Sequence, residues 1–146
     1  MAADMMVSNV VALAMCNAIV DQVDNGTTGT GKVEIRTGAP PTNVEAAATG
    51  TLLVSINFSN PAFGAAADQA PGAQAAVSGT PSNSSATAAG TAGHYRVYDR
   101  DTTPAGVWQD TAGGAASGEG MELSNANIAS GQAVSITSMV VNHPET

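Results

Sequence analysis

Residues 94–110 read HYRVYDRDTTPAGVWQD and contain two strand patterns separated by a turn signal. Their first part, 94–99, alternates with the period of two that is typical of a half-buried strand, and 107–110 continues the pattern. The segment between them, 100–106, is rich in Asp, Thr, Pro and Gly, residues that favour turns. The stretch therefore predicts a β-hairpin with a loop longer than the common two-residue turn.

Strand patterns also occur on both sides of this hairpin. The sequences KVEIR at 32–36 and LLVSINF at 52–58 precede it, and apolar alternation returns at 121–123, 134–137 and 139–141. Gly, Pro and Asn-Pro signals separate these segments. Five to seven short strands between turn signals predict a mainly β protein, either an antiparallel β-sandwich or a small barrel.

One N-terminal α-helix is predicted over residues 4–25, beginning at Asp4 or Ser8 and ending at Asn25-Gly26. Its predicted buried face consists of Ala12, Cys16, Ile19 and Val23, widened by Val11, Met15 and Val20. No basic residue precedes the apolar run, so a signal peptide is not expected. The helix is expected to cover one opening or one face of the β-structure.

The segment 59–93 has a different composition from the rest of the chain. It is mostly Ala, Gly, Ser, Thr and Pro, and Phe63 and Val77 are its only larger apolar residues. Such a segment buries little surface to offset its ordering entropy. Two alternatives follow, a long Ala/Gly/Ser-rich arm that orders on a neighbouring subunit, or weak strands within the domain. The candidate strands are 73–78 and 85–89. If the arm is correct, deletion of residues 66–90 leaves the domain folded.

The composition limits the classes of partner. The 146 residues suit one domain, 1–146, in which 94–146 supplies the hairpin and the C-terminal strands. Twelve acidic and four basic residues give a net charge of −8, which opposes binding to nucleic acid and to anionic membranes. The single cysteine, Cys16, can form no internal disulfide and is expected to be a small buried apolar residue.

Two sequence patterns resemble ligand-binding loops. GTTGTGKV at 26–33 approaches a phosphate-binding loop, but Val33 stands where a hydroxyl residue is needed and the helix precedes the loop instead of following it. Asp99 and Asp101 offer oxygens to calcium but lack the remaining positions of an EF-hand. Turn formation explains these two residues better.

The titratable residues give no catalytic or metal-binding pattern. His94 and His143 lack the spacing of zinc ligands. Asp110, Glu119 and Glu122 contain a candidate carboxylate pair for glycoside hydrolysis, but the expectation is that they face solvent. We therefore predict no catalytic, cofactor-binding or metal-binding residues, no cofactor and no enzymatic activity.

The predicted partner contacts are Phe63, Val77, Arg96, Asp101 and Trp108. The first two lie in the segment 59–93, and Asp101 lies at the predicted hairpin tip. Arg96 is expected either to face solvent, to stack on an aromatic ring, to pair with Asp110 or to contact a partner chain. The simplest expectation for Trp108 is that it packs in the core or at an edge of the sheet.

Several segments together resemble a family of small, mostly uncharacterised proteins encoded among the virion genes of tailed bacteriophages and prophages. The segments are MCNAIVD at 15–21, IRTGAPP at 35–41, GTLL at 50–53, NPAFGAA at 60–66, YRVYD at 95–99 and IASGQAVSITS at 128–138. The similarity extends over nearly the whole chain, and the family has no catalytic motif. It implies a virion component, assembled in the host bacterial cytoplasm.

The resemblance implies a non-enzymatic structural role, foremost a capsid decoration (cement) protein that stabilises the head shell. Its implied partners are the major capsid protein or other virion subunits, together with further copies of itself, and neither nucleic acid nor membrane. Alternatives are a neck, tail or fibre accessory protein, and a surface-binding or carbohydrate-binding module. A concave patch that combines Trp108 and Tyr98 with nearby acids would favour the binding module.

Overall fold

The computed structural model describes residues 5–70, 72–101, 106–114 and 120–144. Helix α1 spans Asn9–Asp21 and is followed by a 3-10 turn at Gln22–Asp24. The strands are β1 Lys32–Arg36, β2 Leu52–Asn57, β3 Ala67–Asp68, β4 Ala73–Ala76, β5 Ser82–Asn83, β6 Gly90–Thr91, β7 His94–Tyr98, β8 Trp108–Gly114, β9 Met121–Leu123, β10 Asn127–Ile128 and β11 Val134–His143. The predicted mainly β class with one N-terminal helix is confirmed.

Most of the strands form one large sheet that curls into a half-barrel. Its strand order is β2-β1-β7-β8-β9-β11-β4-β3, and β5 also pairs with β11. Every pair is antiparallel except β8 with β9, which is parallel and departs from the expected pattern. Strands β6 and β10 form a separate two-stranded sheet.

The predicted hairpin is present as β7 and β8, and alternation divides its side chains between two faces. Tyr95 lies directly opposite Asp110, and Arg96 lies opposite Gln109. We call the side of Tyr95, Trp108 and Asp110 the inner face, because its neighbours on β7 and β1, such as Val97, belong to the buried core. The side of Arg96 and Gln109 is the outer face.

Helix α1 packs against β4 and β11. Its buried residues are Ala12, Cys16 and Val20, and the Cys16 thiol donates a hydrogen bond to the Val141 carbonyl at 3.4 Å. Burial raises the pKa of this thiol. The helix begins at Asn9 with Ser8 as its N-cap residue, which is the later of the two predicted starts. Among the described residues, none of the helices has the length and apolar character required to span a membrane.

The prediction that Val11 and Met15 widen the buried helix face is wrong. Val11 is 43% exposed and Met15 is 38% exposed. The helix contacts the sheet through a narrow stripe whose small members, Ala12 and Cys16, allow close approach to the strands. Residues beside that stripe consequently remain outside the interface.

Residues 59–93 contain short strands, which corrects the alternative of an extended arm. β4 coincides with the first candidate strand, pairs with β11 and buries Ala73 and Ala75. The second candidate is displaced, because the strand forms at Ser82–Asn83 instead. Phe63 pairs with Val77 in an isolated bridge. The small alanine side chains let this segment lie close to its neighbours. Because it has few large apolar side chains, main-chain hydrogen bonds hold it in place.

Candidate functional site

Arg96 holds the outer face of the hairpin together from a fully buried position. Its Nε and Nη2 donate hydrogen bonds to Gln109 Oε1 at 3.1 and 2.6 Å, and its Nη1 donates to the Ala46 carbonyl at 2.7 Å. The prediction that Arg96 contacts a partner is corrected, because its side chain is 0% exposed. It does not pair with Asp110, which lies on the inner face.

Other outer-face side chains also bind carbonyl groups of the loop 37–50. His94 Nδ1 contacts the Gly38 carbonyl at 2.9 Å and must donate, since a carbonyl only accepts. Gln109 Nε2 donates to the Pro41 carbonyl, and Arg36 Nη1 donates to that of Gly50 at 3.2 Å. These contacts fix the loop as a cover over the outer face.

A buried carboxylate balances the cations at this end of the sheet. Glu34 accepts from Lys32 Nζ at 3.1 Å and from Arg36 Nη2 at 2.9 Å. Burial by itself raises the pKa of Glu34, but the hydrogen bonds from Arg36 and Lys32 outweigh it and lower that pKa. The chain's four cations all make contacts within the subunit, the remaining one being Arg100, whose Nε donates to the Gly29 carbonyl at 3.0 Å.

The inner face carries a chain of aromatic contacts. The Trp108 indole donates a hydrogen bond to the Tyr95 hydroxyl and packs edge-on against Phe63 at 5.6 Å between centroids. Phe63 in turn contacts Phe58, also at 5.6 Å. Phe63 is 5% exposed, so the prediction that it contacts a partner is corrected: its ring is used inside the subunit. Four of the five aromatic residues thus meet in one place.

A cavity of about 460 Å³ opens beside this aromatic chain, and we call it the inner-face pocket. Tyr95, Trp108 and Asp110 line it from the hairpin. Ile19 of α1 and residues 140–142 of β11 line it from the other elements. The aromatic partner of Trp108 is therefore Tyr95 and not Tyr98. Tyr98 is three residues after Tyr95, so its side chain projects from the outer face, where Lys32 Nζ lies 5.3 Å from its ring centroid.

Polar atoms converge on one part of this pocket. Burial, followed by the negative charge of Asp110, raises the pKa of Tyr95 to about 12, although the hydrogen bond from Trp108 opposes this shift. Asp110 Oδ1 accepts from the Thr111 main-chain N–H at 2.8 Å. A Cβ on Gly120 would lie 2.8 Å from Asp110 Oδ2 and 3.2 Å from the Tyr95 hydroxyl oxygen. A glycine at this position therefore leaves space between the two oxygens.

Of the three acids proposed for a carboxylate pair, Asp110 and Glu122 are not brought together. Asp110 is on the inner face, whereas Glu122 pairs with Gly113 and so projects from the other side of the sheet. Glu119 lies outside the described residues. His143 Nδ1 contacts the carbonyl of Pro144 at 2.9 Å. Within the described ranges, His, Cys, Asp and Glu residues form no group of three that could hold a metal ion.

The remaining sequence candidates have local structural roles. Asp101 is exposed, and its Oδ1 accepts from Thr27 N at 3.0 Å. That main-chain hydrogen bond lowers the pKa of Asp101. It joins Asp101 to a loop 74 positions earlier in the chain, whereas the predicted turn would bond the backbone two residues on. Val77 is half-buried against the core. Lys32 of the glycine-rich loop is bonded to Glu34 at the start of β1, and the helix precedes the loop, unlike the order in a phosphate-binding loop.

An apolar surface that the sequence did not predict lies on α1 and on the segment just before it. The exposed large hydrophobic side chains of the described residues are Met5 (76%), Met6 (77%), Val10 (75%), Val11 (43%) and Met15 (38%). We call this set, in which Met5 and Met6 lie on the segment just before the helix, the α1 outer face. The sequence did contain a signal for it, because residues 5–20 include no charged side chain, whereas a surface helix normally has a polar side.

No protein-family model, curated protein or solved structure matches this chain.

Proposed function

We propose that this protein is a non-enzymatic structural subunit of a tailed-bacteriophage virion and that it decorates the head shell. The observation that carries the proposal is the α1 outer face. Five large hydrophobic side chains are exposed there, on a segment free of charged residues. A concentration of exposed large hydrophobic side chains on one short segment is typical of interaction sites on soluble proteins. Its burial against a shell subunit would stabilise the assembly by about 25 cal/mol for each Å² removed from water.

The resemblance to virion proteins supports the same role and includes part of this helix. Residues 15–21, MCNAIVD, belong to the similar segments and form the second half of α1. The net charge of −8 suits a position on the outside of the shell, where it opposes contact with the packaged DNA.

The proposed partners are the major capsid protein or another virion subunit on the α1 outer face, and further copies of this chain at the sheet edge. β3 ends the strand order of the large sheet, and both of its residues, Ala67 and Asp68, are exposed. An exposed edge strand offers main-chain donors and acceptors to a strand from a neighbour. A homo-oligomer formed through this edge would present several α1 outer faces to one shell.

The proposal is tested by quantitative mass spectrometry of purified virions. We expect this chain at a copy number comparable with that of the major capsid protein, or at a simple fraction of it. A few copies per particle would instead assign it to the neck, tail or fibres, and its absence would contradict a virion role.

A charge placed on the α1 outer face tests the surface itself. Val10→Glu and Met15→Glu should each reduce incorporation into particles at least about tenfold, because a carboxylate would be buried without a partner. Thr137→Glu is the matched control, since it adds the same charge at an exposed position of β11. Equal incorporation of all three variants would contradict docking through α1.

A further inference from the structure

We propose that the inner-face pocket is a binding site for a neutral sugar, with Tyr95, Trp108 and Asp110 as its principal contacts. This inference goes beyond the virion role and does not depend on it. It begins from the convergence of aromatic surface and polar atoms in one cavity, which is the usual composition of a small-molecule site.

The aromatic side of the pocket suits the apolar C–H face of a sugar ring. Trp108 and Tyr95 both line the cavity. Phe63, with Phe58 behind it, packs against Trp108 and restricts its indole, while the hydrogen bond to Tyr95 fixes the ring further. A binding surface held by such neighbours loses little conformational entropy when a ligand arrives.

The polar atoms indicate a ligand that both donates and accepts hydrogen bonds. Asp110 supplies a carboxylate acceptor, and Tyr95 keeps its hydroxyl proton at neutral pH. Sugar hydroxyl groups match this mixed set, because each is both a donor and an acceptor.

Charge and donor chemistry favour a neutral sugar over two other classes of ligand. Anionic ligands would be repelled by the Asp110 carboxylate and by a chain whose net charge is −8. A quaternary ammonium ion would satisfy Asp110 and the aromatic rings but offers no acceptor to the Tyr95 hydroxyl. The cavity volume of about 460 Å³ falls within the range of small-ligand sites, roughly 300–1,000 Å³.

Trp108 supplies a direct assay, because it is the only tryptophan in the chain. The full-length protein is titrated with glucose, galactose, mannose and N-acetylglucosamine, and in parallel with tetramethylammonium. We expect a saturable change in tryptophan fluorescence with at least one sugar, with a Kd on the order of 1 mM. Saturation-transfer NMR of the same sugar provides a readout independent of Trp108.

Two variants locate the binding in the pocket. Asp110→Ala removes the carboxylate, and Gly120→Ala places a methyl group between Asp110 and the Tyr95 hydroxyl. Each should weaken sugar binding at least about tenfold. Asp68→Ala is the matched control, because Asp68 is an exposed aspartate on β3, and it should bind the sugar as the unmodified protein does. Circular dichroism of each variant serves as the check that it is folded.

Three outcomes would overturn the proposal. They are the absence of any saturable sugar response, a response to tetramethylammonium alone, and sugar binding that neither Asp110→Ala nor Gly120→Ala weakens. None of them bears on the presence of the chain in virions, which is measured separately.

Discussion

The two faces of the β7–β8 hairpin use polar residues in opposite ways. On the outer face, Arg96 and Gln109 are turned toward the loop 37–50 and bind its carbonyl groups. On the inner face, Tyr95 and Asp110 surround an open cavity. The two sets alternate along the same strands and are separated only by the direction of successive side chains.

This contrast separates residues that maintain the fold from residues that can recognise a ligand. A buried polar group that is bonded to its own chain contributes to stability, and its removal leaves its partners unpaired. A polar group at an open cavity retains bonding capacity for another molecule. Outer-face variants should therefore reduce stability and spare sugar binding, whereas inner-face variants should do the reverse.

Deletion of residues 66–90 should reduce stability more than any other change, because it removes strands of the large sheet. Deletion of residues 66–90 eliminates β3, β4 and β5, including the strand against which α1 packs and its pairing with β11. We expect complete loss of cooperative folding, measured by urea unfolding and circular dichroism beside the full-length protein. A retained cooperative transition would restore the hypothesis that this segment is an arm.

The next largest effect is expected at the outer face. Arg96→Ala removes three hydrogen bonds and leaves the Ala46 carbonyl and the Gln109 amide oxygen unpaired, so the free energy of unfolding should fall by about 3 kcal/mol. Arg96→Lys should recover only part of this loss, because an ammonium group lacks the fork of the guanidinium.

The matched control for these variants is Arg100→Ala, whose half-buried side chain donates one hydrogen bond to the exposed Gly29 carbonyl. It should cost less than about 1 kcal/mol. Tryptophan fluorescence should show sugar binding within about twofold of the unmodified protein in every folded variant. A loss of binding in Arg96→Lys at unchanged stability would break the separation between the faces.

A smaller effect, of about 1 kcal/mol or less, is expected from acid, because Lys32 and Arg36, the partners of Glu34, are partly open to solvent. The pKa of Glu34 is lower in the folded protein than in the unfolded chain, where it is about 4.3. The unfolded state therefore binds the proton first as pH falls. The stabilisation is present above about pH 4.3 and is lost as pH falls through the lowered value.

Glu34→Gln should flatten the dependence of unfolding free energy on pH between about 5 and 3, as measured by urea unfolding at each pH. Glu45→Gln, in the exposed loop, is the control and should retain the original slope. An unchanged slope in Glu34→Gln would show that the ion pairs with Lys32 and Arg36 do not contribute to acid stability.

The sequence predicted the hairpin and several of the other strands because alternation is a local signal. It did not indicate which alternate residues would be covered. Arg96 is buried by a loop whose bonded carbonyl is 50 positions away, so its burial has no local signature. The alanine-rich strand β4 was predicted only as one of two alternatives, because small side chains leave almost no hydrophobic pattern and its partner β11 is remote in sequence.

The inner-face pocket was equally inaccessible to sequence reasoning. Trp108 was identified, but the residue predicted to join it in a concave patch was Tyr98. Register decides between the two tyrosines of the hairpin, because Tyr95 lies opposite Asp110 while Tyr98 projects from the other face. The exposure of Val11 and Met15 depends on how wide a helix stripe the sheet covers, which periodicity alone does not determine.

The smallest expected effect distinguishes these two tyrosines. The pKa of Tyr95 is raised to about 12 in the folded protein, whereas a tyrosine in an unfolded chain loses its proton near pH 10. The folded state therefore holds this proton longer, and stability should decline as pH rises from about 10 toward 12. Tyr95→Phe should weaken that decline in urea unfolding measured between about pH 9 and 11, and Tyr98→Phe should leave the contribution of Tyr95 intact. If Tyr95→Phe retained the full decline, the hydroxyl would not be held as a protonated donor, and the inner face would lose one of the groups that distinguish it from the outer face.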